Sequence, residues 1–291
     1  MLRLSKKQRV KKQKKKEYAG CWQPKGLILG AKLKINKMKI KYQLKKIVEN
    51  VTLAIFAPLF VKQIDKYFEV SMLGLENFTT KPAILVPNHS ICVDGPIFKA
   101  KIYEKTGRNV HVLVDEGVYN SRKLWQKMLL WAPGDIPVRG DRRSTMDIVY
   151  RRIGEYVNWS GELISIFSEG LSEKLVMPDG SLKPIEERTH MGGAGRLATF
   201  YNIPIIPVGI KTAEELEKVS GRYGMKNKKE GITFLEDYIA QNGKIPYIIS
   251  FGKEIFPEQT TNKDSNKKQR CNNLTKRIER EVVKLVKEIR F

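Results

Sequence analysis

Ala83-Ile84-Leu85-Val86-Pro87-Asn88-His89-Ser90-Ile91-Cys92-Val93-Asp94 is the stretch on which the reading of this chain turns. Its first five residues are a short continuous apolar run, the pattern of a buried strand. A histidine and an aspartate stand just past the end of that strand. Similar runs lie at Val110–Val114, Ile136–Val138, Leu163–Phe167, Ile203–Val208 and Ile245–Phe251. Helical patterns fall between them at about 95–106, 121–131, 144–158 and 192–201. Strands alternating with helices predict an α/β fold, with a central, mostly parallel sheet covered by helices. Leu274, Ile278, Val282, Leu285, Val286 and Ile289 recur at helical spacing among charges, which predicts an amphipathic C-terminal helix. A polar, Lys- and Gly-rich insertion runs from about Glu215 to Gly231.

The chain has 291 residues with 54 Lys+Arg against 31 Asp+Glu, a net charge of +23. Such a surplus calls for a polyanionic partner, either nucleic acid or an anionic membrane. A 41% hydrophobic content excludes global disorder. Three scattered cysteines, Cys21, Cys92 and Cys271, form no CxxC pair and argue for a reducing compartment. The charge is unevenly placed. Residues 1–46 hold 17 basic groups against one acid, Glu17, so the rest of the chain is nearly balanced.

Beside this basic arm lies the apolar stretch Val51–Val61, bounded by Glu49 and Lys62. Alone it is too short to span a bilayer, which takes ~20 apolar residues. No apolar h-region follows the first lysines, so no signal peptide is expected. Ile40, Leu44, Ile47 and Val51 recur at helical spacing between lysines. A basic helix with one apolar face suits a membrane interface, and a solvated helix covering the domain fits the same pattern.

Four constellations carry chemistry. In the first, Asp94 can orient His89 and support its imidazolium form after proton uptake. Asp94 is equally suited to cap a helix starting at Gly95-Pro96. The second, Gly134-Asp135-Ile136-Pro137-Val138-Arg139, leads to Arg142 and Arg143; clustered guanidinium groups suit phosphate, and a solvated basic turn reads the same way. The third is Phe167-Ser168-Glu169-Gly170. The fourth is Ile203-Pro204-Ile205-Ile206-Pro207-Val208, whose prolines suggest an edge-type strand or a rigid pocket wall. His111 has no motif partner and reads as structural, and His190 reads as a satisfied polar residue or a substrate contact. No grouping resembles a metal site. Gly193-x-Gly195 lacks the third glycine and the preceding strand of a dinucleotide loop, so no nucleotide cofactor is expected.

In order and spacing the four resemble the blocks of the glycerolipid acyltransferase family, of the 1-acyl-glycerol-3-phosphate acyltransferase type. That family's N-H-x4-D is matched by Asn88, His89 and Asp94. Its Gly-to-Arg strand is matched by Gly134 to Arg139, its F-P-E-G-T-R-S by Phe167 to Glu173, and its final Pro-containing strand by Ile203 to Val208. Gly74-Leu75-Glu76-Asn77-Phe78 and Gly193-Ala194-Gly195-Arg196-Leu197-Ala198 are similar to its flanking runs. The resemblance covers roughly residues 70–212. It implies that His89, oriented by Asp94, takes the proton of an acceptor hydroxyl, which attacks the thioester of acyl-CoA or acyl-carrier protein directly. Cys92 is then a bystander. It further implies that Arg139 holds the acceptor phosphate, Glu169 and Gly170 shape the acceptor site, Asn88 positions the catalytic turn, and Pro207 belongs to a wall of the acyl path.

Leu171 and Ser172 depart from the family's Thr and Arg. Either Arg142, Arg143 or Arg188 supplies the missing cation, or the acceptor differs. The expectation is an acyltransferase domain over 70–291, preceded by a basic arm and an interfacial helical segment over 1–69. It would act without a cofactor at the cytoplasmic face of a membrane, as a peripheral or monotopic enzyme. Its acceptor would be a lysophospholipid, with 1-acyl-glycerol-3-phosphate giving phosphatidate, or another lysolipid or glycolipid. Nucleic-acid binding through the arm is the alternative of a different class. The arm lacks interleaved aromatics and the body shows no nucleic-acid motif, so no specific nucleic acid is expected.

Overall fold

A computed structural model describes residues 29–91, 94–116, 134–138, 143–167, 169, 175, 177, 181–188, 190, 192–217, 236–257 and 267–291. Two compact units divide the chain, Met1–Lys46 and Ile47–Phe291. A 39-residue helix, α1 (Leu29–Tyr67), leads into β1 (Phe68–Leu73). There follow β2 (Ala83–Pro87), α2 (Asp94–Thr106), β3 (Val110–Asp115), β4 (Ile136–Val138), α3 (Arg143–Trp159), β5 (Leu163–Ser165), α4 (Gly193–Tyr201), β6 (Ile205–Thr212), β7 (Ile245–Phe251) and α5 (Lys267–Glu288).

The seven strands form one sheet in the order β1-β7-β6-β2-β5-β3-β4. Every neighbouring pair is parallel except β6 with β7. The α/β fold expected from the alternating pattern is therefore present. β2 lies at the middle with all five residues buried, which is why its sequence is unbroken apolar rather than alternating. From α2, Ile97, Phe98 and Ile102 join the strand residues in the main core. α5 lies on β6 so closely that a Cβ on Gly209 would come within 2.8 Å of the Leu285 Cβ.

Three expectations need amendment. β1 was not foreseen. It is a strand of alternating burial that, among the described residues, pairs with β7 alone, 177 positions later by the register Phe68↔Ile245. The strand containing Pro207 is not at an edge but central, between β2 and β7. Pro207 lies one position outside the regular β6·β7 pairing, which begins at Val208↔Phe251. Its carbonyl instead accepts the amide of Gly252 at 2.9 Å. Finally, Val51–Val61 is not an isolated segment. Glu49 and Lys62 do not interrupt the helix, and its Tyr42–Tyr67 portion is long and apolar enough to cross a membrane, by length and composition. The predicted helix at 121–131 and most of the insertion after Glu215 lie outside the described residues.

From Ile47 onward α1 has two unlike faces. Leu53, Ala57 and Ile64 are buried, whereas Ile47, Val51, Ile55 and Leu59, with Val48, Phe56 and Phe60, are exposed. Lys101 on α2 binds Asp65 at 2.6 Å and so ties the end of this helix to the domain. Glu49 reaches a buried polar cluster in which Tyr156 donates to it at 3.2 Å and His111 stacks on the Tyr156 ring. His111 Nδ1 lies 3.0 Å from the Gly134 carbonyl and Nε2 lies 2.6 Å from Glu162 Oε2. Gly134 has φ +82°, and a side chain there would strike His111 at 2.6 Å, so the turn before β4 requires glycine. Glu49, His111 and Glu162 have the composition of a metal-ligand set. However, two ligands at ~2.0–2.1 Å from one tetrahedral ion stand ~3.3 Å apart. The 2.6 Å contact is instead a hydrogen bond, and this cluster seals the bottom of β3 and β4.

Candidate active site

β2 ends at Pro87, and the chain then turns sharply over the carboxyl end of the sheet. Asn88 makes that turn rigid. Its side-chain amide donates to the Ile210 carbonyl at 2.8 Å, and its oxygen accepts the Ile210 amide at 2.6 Å. The side chain thus continues the β2·β6 pairing for one residue beyond the last backbone partners, Pro87↔Val208. His89 comes next, held by its backbone. Its amide donates to Glu169 Oε2 at 2.7 Å, and its carbonyl accepts a short hydrogen bond from Arg188 Nη1. Arg188 Nη1 also lies 3.2 Å from Glu169 Oε1. One buried Glu–Arg pair therefore grips both polar backbone groups of His89. The His89 ring stacks on Phe167, centroids 4.3 Å apart.

Asp94 opens α2 and is fully buried. Its carboxylate turns back on the loop, so that Oδ2 accepts the amides of Ser90 at 2.7 Å and Ile91 at 2.9 Å. The same oxygen lies 3.4 Å from His89 Nδ1. Oδ1 accepts the hydroxyl of Tyr247 at 2.6 Å. His89 Nδ1 is buried and makes no hydrogen bond with the described residues, while the side chain as a whole is 21% exposed. The buried nitrogen thus lies on the side of the Asp94 carboxylate. At 3.4 Å the two atoms are close without making a hydrogen bond of ordinary geometry.

Two carboxyl groups beside this turn are displaced from their ordinary titration. Burial pushes Glu169 up, against the pull of Arg188 and of the His89 amide. Burial also raises Glu217, which accepts the Ser90 hydroxyl at 2.7 Å. His190, two residues past Arg188, is lowered to about 4 by burial and by the Arg188 charge.

Asn88, His89, Asp94, Glu169 and Arg188, separated by up to a hundred positions, are brought into one connected group. Pro207 sits beside Val86 in the sheet below it. Arg139, Arg142 and Gly170 lie outside the described residues; Arg143 opens α3, with its side chain likewise outside them. Sequence reasoning missed Tyr247 and Glu217, which belong to no motif. It also gave Arg188 no role toward His89, because nothing local links residue 188 to residue 89.

Fold and turn together define an α/β enzyme that carries a histidine–aspartate pair at the carboxyl end of a central parallel strand. Residues 69–211 match the model of a family described as Acyltransferase, and that match supports an acyltransferase enzyme. No curated protein sequence matches the chain at a significant level. Among solved structures it is similar to the 1-acyl-sn-glycerophosphate (LPA) acyltransferase PlsC of Thermotoga maritima. That likeness has a TM-score of 0.46 and 15% sequence identity, and covers 87% of this chain and 98% of the other.

Proposed function

We propose that this chain is a membrane-associated O-acyltransferase that moves a fatty acyl group from acyl-CoA or acyl-carrier protein to the free hydroxyl of a lysophospholipid, with 1-acyl-glycerol-3-phosphate as acceptor and phosphatidate as product. The observation that carries this reading is the placement of Asp94 Oδ2 3.4 Å from the buried nitrogen of His89, inside the family-matched segment. In the reaction His89 Nε2 accepts the hydroxyl proton while the acceptor oxygen bonds to the thioester carbonyl carbon. The C–S bond then breaks, and the thiolate leaves with the proton returned from the imidazolium. Asp94 holds the ring and supports its charge during the interval. No protein nucleophile takes part, so no acyl-enzyme forms.

The exposed apolar face of α1 supports the membrane part of the proposal, because a water-facing row of such residues on one helix face suits insertion at a lipid interface. The lysines of residues 1–46 suit anionic headgroups. The phosphate of the acceptor is assigned to Arg139 with Arg142 and Arg143. Arg188 is less suited to it, since its guanidinium already serves Glu169 and the His89 carbonyl. The altered third block, with Leu171 and Ser172, favours testing other lysolipids and glycolipids beside lysophosphatidate.

The test is an acceptor panel with acyl-CoA as donor, read by lipid mass spectrometry, for wild type and His89→Ala. The expected result is acylation of a phosphate-bearing lysolipid by wild type, and a loss of at least ~10²-fold in the folded variant. Full turnover by folded His89→Ala would defeat the mechanism. Preference for a phosphate-free acceptor would defeat the substrate assignment alone.

A further inference from the structure

Asp94 presents two oxygens with different duties. Oδ2 is held by two backbone amides and faces His89, while Oδ1 points away from the histidine to Tyr247. Tyr247 is fully buried on β7, beyond the end of the matched segment at residue 211. Its ring meets Phe68 edge-on at 5.8 Å. A buried carboxylate oxygen without a donor is costly, so the phenol satisfies a group that the turn itself leaves open. The hydrogen bond also fixes rotation about the Asp94 Cβ–Cγ bond, because exchange of the two oxygens would break the 2.6 Å contact. Burial raises the phenol well above its usual value, so it stays protonated and donates across the working range of an enzyme.

We infer that Tyr247 is a positioning residue for acyl transfer, which through Asp94 Oδ1 sets both the orientation of that carboxylate and the share of its charge felt by His89. This rests on the reading of His89 and Asp94 proposed above. A donor on Oδ1 draws negative charge from the carboxylate and so weakens its support of the His89 imidazolium. Removing the donor strengthens that support and raises the pH at which His89 becomes neutral and able to accept a proton. The groups that face the pair are Glu217, near Asp94, and Glu169 and Arg188, beside His89. All three remain in the variants below, so a shift reports on Tyr247.

The experiment measures kcat, KM and the pH dependence of kcat/KM for wild type, Tyr247→Phe, and protein with a ring-fluorinated tyrosine at 247. It uses acyl-CoA and the most active lysolipid of the panel. Tyr247→Phe is expected to lower kcat by about tenfold with KM unchanged, since misplacement of a base costs rate rather than binding. Its acid limb is expected to move to higher pH by about half a unit. The fluorinated ring, a stronger donor of nearly the same shape, is expected to move the limb the other way. Wild-type kcat and an unmoved acid limb in both variants would overturn the inference. If Tyr247→Phe does not fold, as judged by a thermal melt, the fluorinated protein decides alone, and an unmoved limb overturns it. His89→Ala run alongside separates the two levels. Turnover there removes the His89 reading itself, whereas an inactive His89→Ala with unaltered Tyr247 variants removes only the role of Tyr247.

Discussion

At the scale of single residues, the group around His89 is arranged by backbone grips as much as by side-chain chemistry. Arg188 shows this most directly. It is 5% exposed, and its partner Glu169 is 3% exposed. Replacing Arg188 by Met keeps the volume but strands a buried carboxylate and frees the His89 carbonyl. Breaking such a pair costs about 3–5 kcal/mol, so Arg188→Met should melt far below wild type and lose turnover. The sign of its pH dependence follows from Glu169. Without the cation, the folded-state carboxyl rises further above its unfolded value, so stability falls as pH rises through that interval. The deficit against wild type should therefore be greatest near neutrality and narrow below about pH 4, where Glu169 is protonated in both states. A melting series against pH checks it, and a deficit constant with pH would count against the buried-pair account. Of this group, Asn88, His89, Asp94 and Glu169 were legible because they sit in short motifs at strand ends. Tyr247 was not, since a tyrosine in an apolar strand looks like any core aromatic until the sheet places it 2.6 Å from Asp94.

Among elements, the central strands were the easiest to read. β2 is buried at every position and therefore carries a continuous apolar run, and β3, β5 and β7 were read by similar runs. β1 escaped because Phe-Glu-Val-Ser-Met-Leu alternates as an edge strand does and follows a helix without a break. The prolines of the fourth block suggest an edge-type strand or a rigid wall, yet β6 is central, with β2 on one side and β7 on the other. α1 carries the proposed membrane contact, and its two faces make opposite predictions. Ile55→Asp together with Leu59→Asp, both on the exposed face, should reduce binding to anionic vesicles by at least ~10-fold while leaving the melting temperature within a degree or two. Leu53→Ala, on the buried face, should instead cost about 2–4 kcal/mol of stability with vesicle binding unchanged. Vesicle co-sedimentation and thermal melts distinguish them, and the same response from both faces would show that α1 does not divide its labour.

For the molecule as a whole, most of the net charge of +23 belongs to residues 1–46, and the second compact unit begins at Ile47. On the proposed reading, electrostatic attachment and chemistry belong to separable lengths of chain. Deleting residues 1–46 should weaken vesicle binding and abolish its dependence on salt below ~0.15 M, because exposed lysines act through a field that such salt screens. The melting temperature should stay near that of wild type. Unchanged vesicle binding would show that the arm is not an anchor.

The pairing of the sheet's first strand with its last has a consequence for the order of events during synthesis. α1 leaves the ribosome early, and β1 directly after it, but the β7 partner of β1 begins at Ile245. For some 170 residues of elongation, on this register, β1 is present while its β7 partner is not. The edge next to α1 is therefore completed by one of the last strands to be made. The site closes in the same late step, since Tyr247 arrives on β7 together with the partners of β1. Ribosome-bound chains halted before residue 244 should accordingly expose β1 to protease, and chains released past residue 251 should protect it. Early protection would show that β1 finds another partner first.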